Sequence, residues 1–166
     1  TIWITWEKQR RTLELSKALG VKLFILDSKK QWVFRYLDTI LKTLAIIIRE
    51  KPRCLIVQNP SIVLAFVASF TKNIMKYNLV VDRHTNFLLG KDKYDISDKI
   101  FMFMSNFSIR MSDLTIITNA YLKYYVETKK GKGFVLPDKL PEINVWSQLS
   151  NKLNNIVVFI CTYAPD

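Results

Sequence analysis

Short β-branched and aromatic runs alternate along the chain with longer segments whose apolar positions recur every three or four residues. Thr1–Trp6 (TIWITW) predicts a strand and Glu7–Leu19 a helix, with Leu13, Leu15, Ala18 and Leu19 on its apolar side and Gly20 as its stop. Val21–Leu26 predicts the next strand. Gln31–Glu50 predicts a long helix, in which Trp32, Tyr36, Leu37, Ile40, Leu41, Leu44, Ile47 and Ile48 form one apolar stripe. Lys51-Pro52 breaks it, because the residue before a proline avoids the helical region. Cys54–Val57 predicts a buried strand, and Asn59-Pro60-Ser61 opens a helix to about Thr71. Leu79–Val81 predicts a strand ending at Asp82, 83–95 a loop, Ile96–Met111 a helix, Leu114–Thr118 a strand, Ala120–Thr128 a helix and Gly133–Leu136 a short strand. Pro141–Leu153 predicts a further helix and Ile156–Thr162 a last apolar strand.

Strands apolar on both faces, alternating with helices, imply a Rossmann-like, doubly wound, mostly parallel α/β sheet covered by helices on both faces. Residues 1–150 are expected to form one such domain. The polar stretch Ser150–Asn155 reads as a joint, and 151–166 as a linker with the first strand of a second domain. The chain begins at Thr1 rather than methionine, which points to a piece of something longer.

Composition narrows the partners. The net charge of +11 favours anionic ones: nucleic acid, lipid headgroups or phosphorylated substrates. Cys54 and Cys161 lie in apolar runs without a CxxC, so neither a metal site nor a disulfide framework is expected, and a reducing compartment fits. No uninterrupted apolar run has the length of a membrane span. Phe101, Met102, Phe103, Met104, Phe107 and Met111 read mainly as core, with excess for a membrane surface beside Lys91, Lys93 and Lys99. The expected location is cytoplasmic, or peripheral on the inner face of a membrane.

In an open α/β sheet, ligands bind beyond the carboxyl ends of the strands. That rule selects Glu7, Arg10 and Arg11 after the first strand, and Gln58 and Asn59 after the third. It adds Asp82, His84, Thr85 and Asn86 after the fourth, Thr118 and Asn119 after the fifth, and Asp138 after the sixth. His84, the single histidine, can exchange a proton near neutral pH, and Asp82 two residues earlier leaves an extended strand on the same side. A structural histidine beside a capping aspartate is the plainer alternative. Asn59 or Ser61 can cap a helix, or leave its amides for an anion. Arg10 and Arg11 stand at a helix start that disfavours cations, which points to an anionic ligand, though an ion pair with Glu7 accounts for one of them. No GxGxxG, GxxxxGK or GxSxG is present, which argues against dinucleotide, P-loop and serine-hydrolase chemistry.

Four segments in order, VQNPS (57–61), VVDRHTN (80–86), SDLTIITNAYLKYYV (112–126) and VLPDKLPE (135–142), resemble the N-terminal domain of GT-B glycosyltransferases. The broad likeness is to the family 4 enzymes, and VQNP with D-x-H-N is similar to the β-1,4-mannosyltransferase branch of dolichol-linked glycan assembly. The resemblance implies one half of a two-domain enzyme, with the nucleotide-sugar donor held mainly by a C-terminal partner domain and the acceptor, a glycan or a lipid-linked one, on this half. It implies no metal and no cofactor beyond the donor substrate (UDP- or GDP-sugar), and no activity for this half alone. It makes His84 the cleft histidine, supported by Asp82, with Glu7, Arg10, Arg11, Gln58, Asn59, Thr85, Asn86, Asn119 and Asp138 binding acceptor or phosphate. Family 4 often carries a glycine-rich loop after the first strand, which TWEKQRR (5–11) lacks. Alternatives are a non-catalytic partner subunit and a nucleic-acid-binding module, the latter without an RNP, KH or helix-turn-helix signature.

Overall fold

The computed structural model describes residues 1–28, 32–84 and 94–138. The elements follow in strict alternation: β1 (Ile2–Thr5), α1 (Arg10–Ala18), β2 (Lys22–Ile25), α2 (Trp32–Glu50), β3 (Cys54–Asn59), α3 (Ile62–Met75), β4 (Asn78–Arg83), α4 (Ile96–Met111), β5 (Leu114–Ile117), α5 (Ala120–Thr128) and β6 (Gly133–Val135). The six strands form one sheet in the order β2-β1-β3-β4-β5-β6, parallel throughout. The chain winds outward in both directions from the β1–β3 neighbours, the doubly wound pattern the sequence predicts. Right-handed crossovers put α1 on one face and α2 to α5 on the other. Residues 139–166 and 85–93, including Thr85, Asn86, the expected helix 141–153 and the expected second-domain strand, lie outside the described residues.

The core lies between the sheet and the α2–α3 layer. Ile4, Leu55, Val57, Leu64, Leu79 and Val81 are removed from water almost completely. A smaller cluster of Ile109, Ile117, Leu122 and Val126 seats α4 and α5 over β5. Asn119 caps α5 by accepting the Leu122 N–H at 2.9 Å, and Asp95 and Asp98 form a reciprocal capping box at the start of α4.

Several elements depart from the sequence reading. Helix α1 starts at Arg10, so Glu7 stands in the turn before it and outside its first turn. Its buried residues are Thr12 and Ser16, while Leu19 and Ala18 are exposed. Small polar side chains four residues apart let that helix close on the sheet, and an apolar count overlooks them. The α2 stripe divides in the same way: Thr39, Thr43, Ile46 and Ile47 are buried, while Leu37, Leu41 and Ile48 are exposed. Thr43 is drawn inward by the Trp6 indole N–H, which donates to its hydroxyl at 2.9 Å. Strand β3 runs on through Gln58 and Asn59 and β4 through Arg83, so these residues lie within the sheet rather than past it.

Behind α5, Gly131 makes room for the turn into β6. A Cβ there would stand 2.5 Å from Ile109 Cγ2 and 3.0 Å from the Ile109 carbonyl. Gly131→Ala is expected to lower unfolding free energy by about 1–3 kcal/mol through overpacking, read by urea denaturation. An unchanged midpoint would show that the α4 end yields freely.

Candidate functional site

The carboxyl ends of β1, β3 and β4 carry a row of polar side chains on the α1 face. Register places Gln58 beside Asp82. The Thr5 hydroxyl donates to Gln58 Oε1 and takes the Glu7 N–H at 3.2 Å. Asp82 is fully buried. Arg11, near the start of α1, donates from Nε to both Asp82 oxygens at 3.1 and 3.3 Å. The same guanidinium reaches Asp138 Oδ1 at 2.6 Å through Nη1 and the Leu136 carbonyl at 3.0 Å through Nη2. Residues 11, 82 and 138, distant in sequence, thus meet at one point of the sheet edge, with His84 beside them.

This geometry explains why Arg11 stands at a helix terminus that disfavours cations. Its charge answers two carboxylates, not Glu7. Arg10 turns outward to Glu14, 3.6 Å away across one helical turn. Both arginines, with His84, Leu136, Pro137 and Asp138, border a cleft of about 350 Å³. Three buried polar atoms at this edge have no hydrogen-bond partner among the described residues: Gln58 Nε2, Asn59 Nδ2 and His84 Nδ1. Such atoms are uncommon in a settled interior; of the three residues, only His84 borders the cleft. His84 is half-buried. No hydrogen bond joins it to Asp82 among the described residues, so Asp82 acts on it through its field.

A second cleft, of about 250 Å³, opens on the other side of the β1–α1 turn. It lies between the ends of β1 and β3, the point where the strand order reverses and where ligands of such sheets sit. Glu7, Arg35, Tyr36 and Ser61 border it, and Trp6 packs on Tyr36 with ring centroids 6.0 Å apart. Sequence reasoning missed Trp6, Arg35 and Tyr36; the available signal was an aromatic directly after the first strand. Ser61 precedes α3 without a side-chain cap bond, whereas the Asn119 side chain is occupied as a cap. Thr118 stands just before that cap, beyond β5. No group of three or more His, Cys, Asp or Glu side chains capable of holding a metal occurs among the described residues.

Arg83 also escaped the sequence reading. It points to the opposite face of β4, is 1% exposed, and donates from Nη2 to Ser105 Oγ at 2.9 Å, while its Nε has no partner among the described residues. Burial draws its pKa down to about 10.

No protein-family profile matches the chain, and no curated protein matches it in sequence. Among solved structures, Glycyrrhiza uralensis UGT73P12, crystallised with glycyrrhetinic acid 3-O-monoglucuronide, is similar in fold, with a TM-score of 0.51 at 11% identity. The match covers 80% of this chain and 41% of that one. The fold is that of a Rossmann-like half of a GT-B glycosyltransferase.

Burial lowers the His84 pKa from its ordinary 6.5, opposed by Asp82 and assisted by Arg11. Burial raises the Asp82 pKa from 3.8, with Arg11 opposing. A lowered imidazole value means that the folded chain holds fewer protons there, so this residue's contribution to stability is lost as pH falls from 6.5 through the folded value. Asp82 works in the opposite sense: its contribution is regained as pH falls from its raised value towards 3.8. The single histidine makes this directly readable by NMR titration. The expected midpoint lies below 6.5; Arg11→Gln raises it and Asp82→Asn lowers it further. A native midpoint at or above the ordinary value contradicts the described environment.

The ion pair itself gives a second measurement. Arg11→Met leaves a buried carboxylate without its cation and is expected to cost about 3–5 kcal/mol. Adding Asp82→Asn should recover a large part of that loss, and additive costs in the double-mutant cycle would refute the pairing.

Proposed function

We propose that the chain forms the acceptor-side wall of a glycosyltransferase that moves a sugar from a UDP- or GDP-sugar to a glycan or lipid-linked acceptor. One observation carries the reading: on a GT-B half-domain, the single histidine stands at a strand-end cleft beside Arg11, Asp82 and Asp138. An imidazole with a lowered pKa is neutral near pH 7. It is therefore suited to take a proton from an acceptor hydroxyl, or to hydrogen-bond the sugar being transferred. Arg11, tied on both sides, holds the edge in place, and Arg10 offers an exposed cation at the cleft mouth for a phosphate or an anionic sugar. The aromatic cleft at the strand-order reversal suits an apolar or sugar face of the acceptor. The finer assignment, to family 4 or the β-1,4-mannosyltransferase branch, draws on the four ordered sequence segments. The donor is expected to rest mainly on a second domain, since this chain spans 41% of the similar glycosyltransferase-fold structure.

The test is transfer from radiolabelled UDP- and GDP-sugars by the complete protein, compared with its His84→Ala form. Loss of about 10²-fold or more in kcat is expected for a general catalyst. Turnover equal to that of the native protein would remove His84 from the chemistry.

A further inference from the structure

Helix α3 begins with amides that nothing answers. Ser61, the residue before it, makes no side-chain cap bond. The Ile62 N–H donates to the Pro60 carbonyl at 2.9 Å, and the Ala65 N–H to the Ser61 carbonyl at 3.2 Å. Between them, the Val63 and Leu64 N–H groups have no acceptor among the described residues. The first turn contains no acid either, so the positive end of the helix macrodipole is uncompensated.

Two buried donors stand beneath this side of the helical layer. Asn59 closes β3 and leaves it on the face of Leu55 and Val57, the face that packs on Leu64 and Ala65 of α3. Its amide therefore lies under the first turn of the helix that follows it. Asn59 is 2% exposed, and its Nδ2 has no partner among the described residues. Arg83 is its register neighbour on β4 and shares that face with Leu79 and Val81. The Ser105 hydroxyl, a neutral acceptor, takes its Nη2, and no carboxylate among the described residues meets the guanidinium. A buried cation without an anion and a buried amide without an acceptor are each costly. Every unanswered group here is a donor, so what the place lacks is an acceptor that carries negative charge.

The way in is the cleft of about 250 Å³ at the strand-order reversal, whose lining includes Pro60, Ser61, Ile62 and Val63. Glu7, the one acid on that lining, is exposed, and so is Arg35. The rim is thus balanced in charge, whereas the α3 end is not. We propose that the first turn of α3 binds a phosphate-type oxyanion, which accepts from the Val63 and Leu64 N–H groups and the Ser61 hydroxyl. Asn59 donates to it from below, and Arg83 supplies positive charge from the next strand. Donors that approach from the helix end and from the sheet suit a tetrahedral phosphate better than a planar carboxylate. The proposal is independent of sugar transfer, because its test reads binding and not turnover.

The chain, labelled with nitrogen-15, is titrated with inorganic phosphate at constant ionic strength, so that general attraction to its +11 charge stays fixed. The Val63 and Leu64 amide resonances are expected to move furthest and to saturate. Asn59→Leu should weaken that binding about tenfold, the loss of one charge-assisted hydrogen bond. Without phosphate the same variant should melt no lower than the native chain, because it removes a buried polar group that has no partner. The native titration decides the matter even if the variant fails to fold. A parallel titration with phenyl phosphate separates the sources: tighter binding than inorganic phosphate assigns the anion to an apolar ester held along Trp6 and Tyr36. Equal binding assigns it to the free ion, and both results support the site. Absence of saturable movement at Val63 and Leu64 overturns the proposal, as does native affinity in Asn59→Leu.

Discussion

Asp82 stands one residue before the end of the fourth strand with its carboxylate wholly inside the protein, and a charge in that position costs several kcal/mol unless a cation meets it with good geometry. Arg11 provides the cation from across the sheet edge. The pair does what apolar burial does elsewhere in the fold. Helix α1 buries only Thr12 and Ser16, too little apolar area to fix its position firmly. Its guanidinium fixes it instead, to β4 through Asp82 and to the segment after β6 through Asp138 and the Leu136 carbonyl. Without that pair the helix would keep its hydrogen bonds and lose its seat, and the cleft bordered by Arg10, Arg11 and His84 would lose a wall.

The two clefts differ in character because they lie on opposite sides of that turn. One is edged by cations and the imidazole, the other by Trp6 and Tyr36. Neither depends on a glycine-rich loop, and the whole chain has four glycines. What the two clefts offer a ligand therefore comes from side chains more than from backbone amides.

The alternation of strand and helix was legible because parallel strands buried on both faces read as unbroken apolar runs. Ile96–Met111 and Ala120–Thr128 have the boundaries predicted, each marked by a polar cap and a following turn. The position of Asp82, His84 and Asp138 at the sheet edge was legible from where the predicted strands end. The Arg11 partners were not: hydrogen bonds spanning 71 and 127 residues leave no local pattern. Buried Thr12, Thr39, Thr43 and Arg83 were equally hidden, because hydropathy assigns polar residues to the surface, whereas hydrogen bonds and tight packing bring these inside.

The reach of Arg11 also sets an order of events. Closing so long a loop is entropically costly, so a contact between residues 11 and 138 is favoured once the intervening strands have brought the two ends together. The described edge cluster is therefore completed late in folding, after the central strands have paired. A chain emerging from synthesis holds Arg11 and Asp82 well before Asp138, so the guanidinium gains its second carboxylate only near the end of the domain.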